Sequence, residues 1–195
     1  MSLTNEEFED FKQQWKKTPI RAPKLEKVVI NFALGKSGPD LERARKLAEN
    51  LTNRKPTDSK AHDSQRAWGI RKGEPIGVHV TLRGQKGIEF LRRIFWAKDD
   101  KILVKSFDSF GNLAIGIKDH LNLPNVKYDP KIGVFGFGVT ANLERTGFRL
   151  KRRRLKQKKI PSNHRITKKE AIAWYLNNFK ELKIVKQEEQ IEEYY

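Results

Sequence analysis

No cysteine occurs in the 195 residues, which excludes disulfides, thiolate chemistry and any cysteine-based metal site. Histidine is scarce as well. His62, His79, His120 and His164 stand apart, without the spacing of a ligand set, so no metal is expected. No apolar run approaches the roughly 20 residues that span a bilayer, and the opening MSLTNEEFEDF is too acidic for a signal peptide. The expectation is a soluble, cytoplasmic chain with no membrane partner. Catalytic groupings are missing too. No nucleophile, base and orienting group can be assembled, and paired carboxylates fall only in helices that read as solvated or in the tail. Gly35-Lys36-Ser37 follows a strand and precedes a helix, but a phosphate-cradling loop needs glycine where Ile30 stands. The glycines of GVFGFGV lie inside a strand rather than at a turn. Neither an enzyme nor a cofactor is expected.

Acidic residues are absent from one long stretch. Residues 145–169 hold 12 Lys or Arg and no Asp or Glu, leaving 29 cations against 24 anions elsewhere. The net charge of +17 is therefore concentrated, the pattern of a docking arm for a polyanion such as nucleic acid. Its candidate contacts are Arg149, Lys151, Arg152, Arg153, Arg154, Lys156, Lys158 and Lys159. Mutual repulsion predicts that the arm is poorly ordered without its partner.

Periodicity sets out the rest. The capping-box spacing of Thr4 and Glu7 opens a helix within residues 1–18, with Phe8, Phe11 and Trp15 on one stripe. A body over residues 24–180 follows, including a basic arm at 145–166, and an acidic, flexible tail at 181–195. Strands are predicted over residues 27–34, 76–82, 112–118 and 132–141, with an extended segment at 57–61 and a hairpin return at 146–152. Helices are predicted over 40–51, 86–97 and 167–179, the last opened by Thr167-x-x-Glu170, and residues 98–111 read as irregular around the turn DSFGN. A loop at 62–75 is long enough to be functional rather than a simple connector. The fold class is α+β, a single domain over 1–195 with helices on one face of a sheet.

The strands have an unusual second face. Lys27, Val29, Asn31 and Ala33; Gly77, His79, Thr81 and Arg83; Asn112, Ala114, Gly116 and Lys118; Val134, Gly136, Gly138 and Thr140 include no aromatic and no acid. A sheet covered on both sides would carry apolar residues here. An open face of small residues admits a nucleic-acid backbone closely, and its Asn, Thr, His, Arg and Lys groups can bond phosphates, 2′-hydroxyls and base edges. Stacking in the manner of a ribonucleoprotein motif is excluded by the missing aromatics.

Six segments then occur in order: VVINFALG, RKPTDSKA, SQRAWGIRKGEPIG, VTLRG, SFDSFGN with LAIGIKDH, and YDPKIGVFGFGV. Over residues 22–180 the chain resembles the ribosomal protein L5 family, and the basic insert before NHRITKKEAIAWYLNNF resembles its archaeal and eukaryotic branch. The resemblance implies a largely antiparallel curved sheet with helices on the convex side and a concave face for 5S rRNA in the central protuberance. Family RNA-bonding positions fall on Asn31, Arg54 and Thr81, where Arg54 replaces the Gln of many bacterial members. Lys55, His79, Arg83, Asn112 and Lys118 join them as candidates on or beside the open face. The family's tRNA-approaching loop maps to Ser64, Gln65, Arg66, Trp68, Arg71 and Lys72, with Trp68 where Phe is common. The implied partners are 5S rRNA, 23S-type large-subunit rRNA, P-site tRNA, other 5S-associated ribosomal proteins and a small-subunit head protein. A free RNA-processing or translation factor on the same sheet is the alternative.

Overall fold

Alternating apolar residues place Val28, Ile30 and Phe32 on one side of β1 (Lys24–Ala33), and all three are fully buried in the computed structural model, which describes residues 4–185. Val78, Val80 and Leu82 do the same on β3 (Pro75–Leu82). The two strands pair antiparallel, with Val29 opposite Thr81 and Asn31 opposite His79. The short β2 (Thr57–Lys60) adds antiparallel to the other side of β3, Thr57 facing His79. With β5 (Leu113–Ile117) and β6 (Phe137–Glu144) the sheet order is β2-β3-β1-β6-β5, and a second, parallel pair joins β4 (Lys101–Leu103) to β7 (Lys183–Val185). The class is α+β, as the sequence predicts.

The contacts divide this fold into two compact units. One takes in Val28–Ala97 and Ile115–Thr140; the other takes in Lys98–Ala114 with the described parts of Met1–Lys27 and Ala141–Tyr195. In the first, α2 (Pro39–Thr52) buries Leu41, Ala44, Leu47, Ala48 and Leu51, and α3 (Gln85–Trp96) buries Phe90, Leu91, Ile94 and Phe95. Each such Leu, Ile or Phe side chain contributes about 1.5–3 kcal/mol on leaving water. The edge strand β2 is tied to α2 by a two-pronged ion pair, Arg45 Nε and Nη2 donating to the Asp58 carboxylate at 2.9 and 2.7 Å. Gly77 permits close strand approach, because a Cβ there would sit 2.7 Å from the Phe32 carbonyl oxygen.

In the second unit α1 (Asn5–Lys17) opens with the expected capping box: the Glu7 amide donates to Thr4 Oγ1, and the Thr4 amide donates to the Glu7 carboxylate. The last long helix, α5 (Lys168–Asn178), is capped by Thr167 and buries every residue from Glu170 to Tyr175. Glu170 accepts two bonds from Arg145 at 2.5 Å and one from Trp15 Nε1 at 3.2 Å, so α1 is fastened to α5 through a buried ion pair.

Several sequence expectations are corrected. The strand predicted over 132–141 runs instead from Phe137 to Glu144. Residues 132–136 are held outside any ladder, by Asp129 and by the two bonds between His120 and Phe135. Val134 and Gly136 therefore leave the open face, and Asn142 and Glu144 join its parity. No hairpin strand returns at 146–152; α4 (Arg149–Arg152) is a single helical turn there. Residues 98–111 contain β4, and residues 183–185 of the expected flexible tail form β7; the remainder of that tail, 186–195, lies outside the described residues. Three-residue strands carry too little periodicity to be read locally, and only their mutual pairing defines them.

Candidate nucleic-acid interface

The open side of the first unit is a polar rank across three strands. Thr57 of β2, His79 of β3 and Asn31 of β1 are register partners in one row. Ser59 Oγ lies 2.9 Å from His79 Nδ1 and so orients the imidazole. Thr81, one step along β3, is half-buried, while Asn31, Ala33, Gly116, Lys118, Gly138 and Thr140 are exposed. No carboxylate projects from the strand residues of this side within the unit; Asp58 points to the helical side with Arg45. Phosphate can therefore approach without a fixed negative charge in its way. Arg54 leaves the C-terminus of α2 after the left-handed Asn53 and donates to the Thr81 carbonyl at 3.2 Å, which draws its guanidinium over β3. Lys55 and Arg83 are exposed beside it. Asn31, Arg54, Lys55, His79, Thr81, Arg83 and Lys118 thus belong to one unit.

Asn112 belongs to the other unit and is not a free side chain. Its amide group donates to Asp108 at 2.6 Å and its oxygen accepts from Asn142 at 2.5 Å.

The 62–75 loop is more ordered than its length suggests. Gln65 and Ile70 exchange backbone bonds of 2.9 and 3.1 Å around a turn at Arg66–Trp68, and the Lys72 amide donates to Ser64 Oγ at 2.9 Å. At its base the Glu74 carboxylate accepts from Ser37 Oγ and from the Arg71 amide. These donors, Ser37 first, hold the Glu74 carboxyl below its ordinary range. The turn presents Trp68 at 73% exposure, with Arg66, Arg71 and Lys72 exposed around it. A large aromatic so exposed on a cation-rich turn is suited to stacking.

The basic arm divides in two. Arg145, at its start, is buried with Glu170 and faces no solvent partner. Arg152 is held by Glu26 at 3.2 Å and by Glu144, both carboxylates from outside the arm. Arg153 bonds the Lys156 carbonyl. Arg149, Lys151, Arg154, Lys156, Lys158 and Lys159 are exposed. Sequence reasoning counted all these cations alike; the structure leaves part of the charge internally compensated.

Ser59 and Thr57 were missed. Strand alternation through TDSKA places them opposite Asp58, a signal that was available in residues 57–61. Glu26 and Glu144, which restrain Arg152, carry no sequence signal because they lie 126 and 8 residues away. Among the described residues no group of His, Asp and Glu could hold a metal ion, and no helix is long and apolar enough to cross a membrane.

The family model described as ribosomal protein L5 matches residues 18–71, and that of the ribosomal L5 family C-terminus matches residues 75–174. The chain is 42% identical over 173 residues to the large ribosomal subunit protein uL5 of Aeropyrum pernix, covering 88% of this chain and 90% of that protein. It is 44% identical to the protein of the same name from Sulfurisphaera tokodaii, over 83% of this chain and 92% of that one. For the Nitrosopumilus maritimus protein the identity is 39%, over 85% and 96%.

Proposed function

Because the chain belongs to the ribosomal protein L5 family, we propose that it is a structural, non-catalytic component of the large ribosomal subunit that binds 5S rRNA and helps anchor it in the central protuberance. The observation that carries this is the rank Thr57–His79–Asn31, with small neighbours and no carboxylate among the strand residues of its side within the first unit. Such a surface bonds backbone and base edges where the RNA lies close, and Arg54, Lys55, Arg83 and Lys118 around it supply the charge. The mechanism is positioning. The strands fix hydrogen-bonding groups in register, so the RNA meets a prearranged pattern rather than ordering it.

The same reading takes the Trp68 turn toward P-site tRNA, and the exposed cations of the arm into grooves of the 23S-type rRNA. Contacts with other 5S-associated ribosomal proteins and a bridge to a small-subunit head protein complete it.

Binding to purified 5S rRNA, with tRNA as competitor, tests the central claim. Asn31→Ala and Thr81→Val each remove one hydrogen bond, so each weakens binding about tenfold. Equal affinity of both variants and wild type would overturn the assignment of this face. Wild-type protein that washes from large subunits at modest salt would instead favour a free RNA-processing or translation factor.

A further inference from the structure

Leu155, in the basic arm, is 77% exposed, more even than Trp68. A leucine standing alone on a surface is ordinary. This one stands at the tip of a turn that is held closed. The Arg153 guanidinium donates Nε and Nη2 to the Lys156 carbonyl at 2.8 and 2.5 Å, which fastens residues 153–156. Lys156 is left-handed, at φ 50°, a conformation that L side chains other than Asn and Asp rarely adopt. Below the turn the two limbs of the arm are tied together. The Lys158 amide donates to the Leu150 carbonyl at 3.2 Å, and Gln157 Nε2 donates to the Lys151 carbonyl.

A contact made through charge alone needs none of this, because lysines and arginines neutralise phosphates as well from a shapeless loop. Here one guanidinium is committed to a carbonyl, and a left-handed lysine is tolerated, to fix the shape of the tip. Backbone strain of that kind persists only where the surroundings hold it, and it collects at ligand-contacting segments. What the fixed shape presents is Leu155. Arg154 and Lys156 are exposed on either side of it in the chain, with Lys158 exposed two residues further on. An apolar tip flanked by cations suits a polyanion with an apolar interior, which is stacked nucleic acid. An apolar pocket on a protein would not call for the cations.

We propose that Leu155 is a wedge that enters an unstacked step of large-subunit rRNA, such as a bulge, between two bases, while Arg154, Lys156 and Lys158 neutralise the flanking phosphates. Leucine is among the apolar side chains that nucleic-acid-binding proteins insert between bases, and RNA offers unstacked bases at bulges and loops. Arg153 is a positioning residue, acting through the Lys156 carbonyl. The wedge rests on the rRNA-binding reading and deepens it: the arm recognises a shape in the RNA and not only its charge.

Binding of the full chain to two short RNA duplexes tests this, one continuous and one with a single-base bulge beside a 2-aminopurine. Wild-type protein should prefer the bulged duplex about tenfold, the magnitude expected from burying much of a leucine side chain. The 2-aminopurine fluorescence should rise as that base unstacks. Leu155→Gln, at an exposed position that the fold does not use, should bind both duplexes alike, with no rise. Its salt slope should be unchanged, since no charge is lost. Leu155→Met should keep the preference. Arg153→Lys keeps the charge but not the fork on the carbonyl, and should lose most of the preference. Wild-type protein indifferent to the bulge, or Leu155→Gln with the preference intact, would overturn the wedge. So would Leu155→Gln that binds both duplexes as wild type does yet leaves large subunits more readily, which would give the leucine a protein partner. Binding to purified large-subunit rRNA, measured in parallel, separates the two claims. If wild type and Leu155→Gln bind it equally, the wedge alone fails; if neither binds, the underlying reading fails.

Discussion

Glu170 shows how much a single buried charge decides. Its side chain is 4% exposed and that of Arg145 is 8%, and Arg145 Nη2 donates to both carboxylate oxygens at 2.5 Å. Trp15 Nε1 uses the same carboxylate. Glu170→Ala leaves a guanidinium in the interior with no counter-ion, which costs about 3–5 kcal/mol. Replacing both partners together, Arg145→Met with Glu170→Leu, costs clearly less, since no unpaired charge remains. Urea unfolding of the three proteins checks this, and equal losses in the single and double variants would show the cost to be packing rather than charge. The sequence marks Glu170 only as the fourth residue of a capping box. In the fold Thr167 does cap its amide, but the carboxylate turns inward to Arg145. Helical spacing alone does not reveal a partner 25 residues away.

At the scale of elements, the connection from β5 to β6 depends on His120. It is 2% exposed, its Nδ1 accepts the Phe135 amide at 3.3 Å, and its own amide donates to the Phe135 carbonyl at 3.1 Å. Burial pushes its pKa below the ordinary imidazole value, outweighing the nearby Asp119. The unfolded chain therefore takes the proton first. The stability of neutral His120 is complete above its unfolded pKa, near 6.5, and is lost as pH falls through the lower folded value. Wild-type protein should lose stability between about pH 7.5 and pH 5.5, and His120→Gln should lose less over the same interval, measured by urea midpoints. An identical decline in both proteins would remove His120 as the cause. The sequence reads this segment as part of a strand because Phe135, Phe137 and Val139 alternate. The ladder starts only at Phe137, because the residues before it bond His120 instead of a neighbouring strand.

For the whole molecule, two kinds of RNA contact should separate in their salt dependence. The exposed cations of the arm act through charge, and each phosphate contact adds about 0.7–0.9 to the slope of log affinity against log salt. Exchanging Arg154, Lys158 and Lys159 for Gln should lower that slope by about 2–3 in binding to large-subunit rRNA. Asn31→Ala should reduce affinity with the slope unchanged. An arm variant with an unaltered slope would show that these cations do not touch RNA in that complex. Arg152 and Arg153 are poor choices for this test, since the first is bound to Glu26 and Glu144 and the second to a carbonyl of the arm itself.

The sequence by itself determined the α+β class, the main core strands and helices, the caps at Thr4 and Thr167, and the parity of the open side. Those features rest on period, capping and turn chemistry, which act over a few residues. The order of segments was enough for the family. Only the tertiary structure decided that Thr57, His79 and Asn31 stand in one row, that Arg145 and Arg152 are held by carboxylates, and that Asp108, Asn112 and Asn142 form a hydrogen-bonded chain. These depend on strand register and on which distant residues meet, and strand register and long-range pairing are set by packing the whole chain rather than by any local pattern.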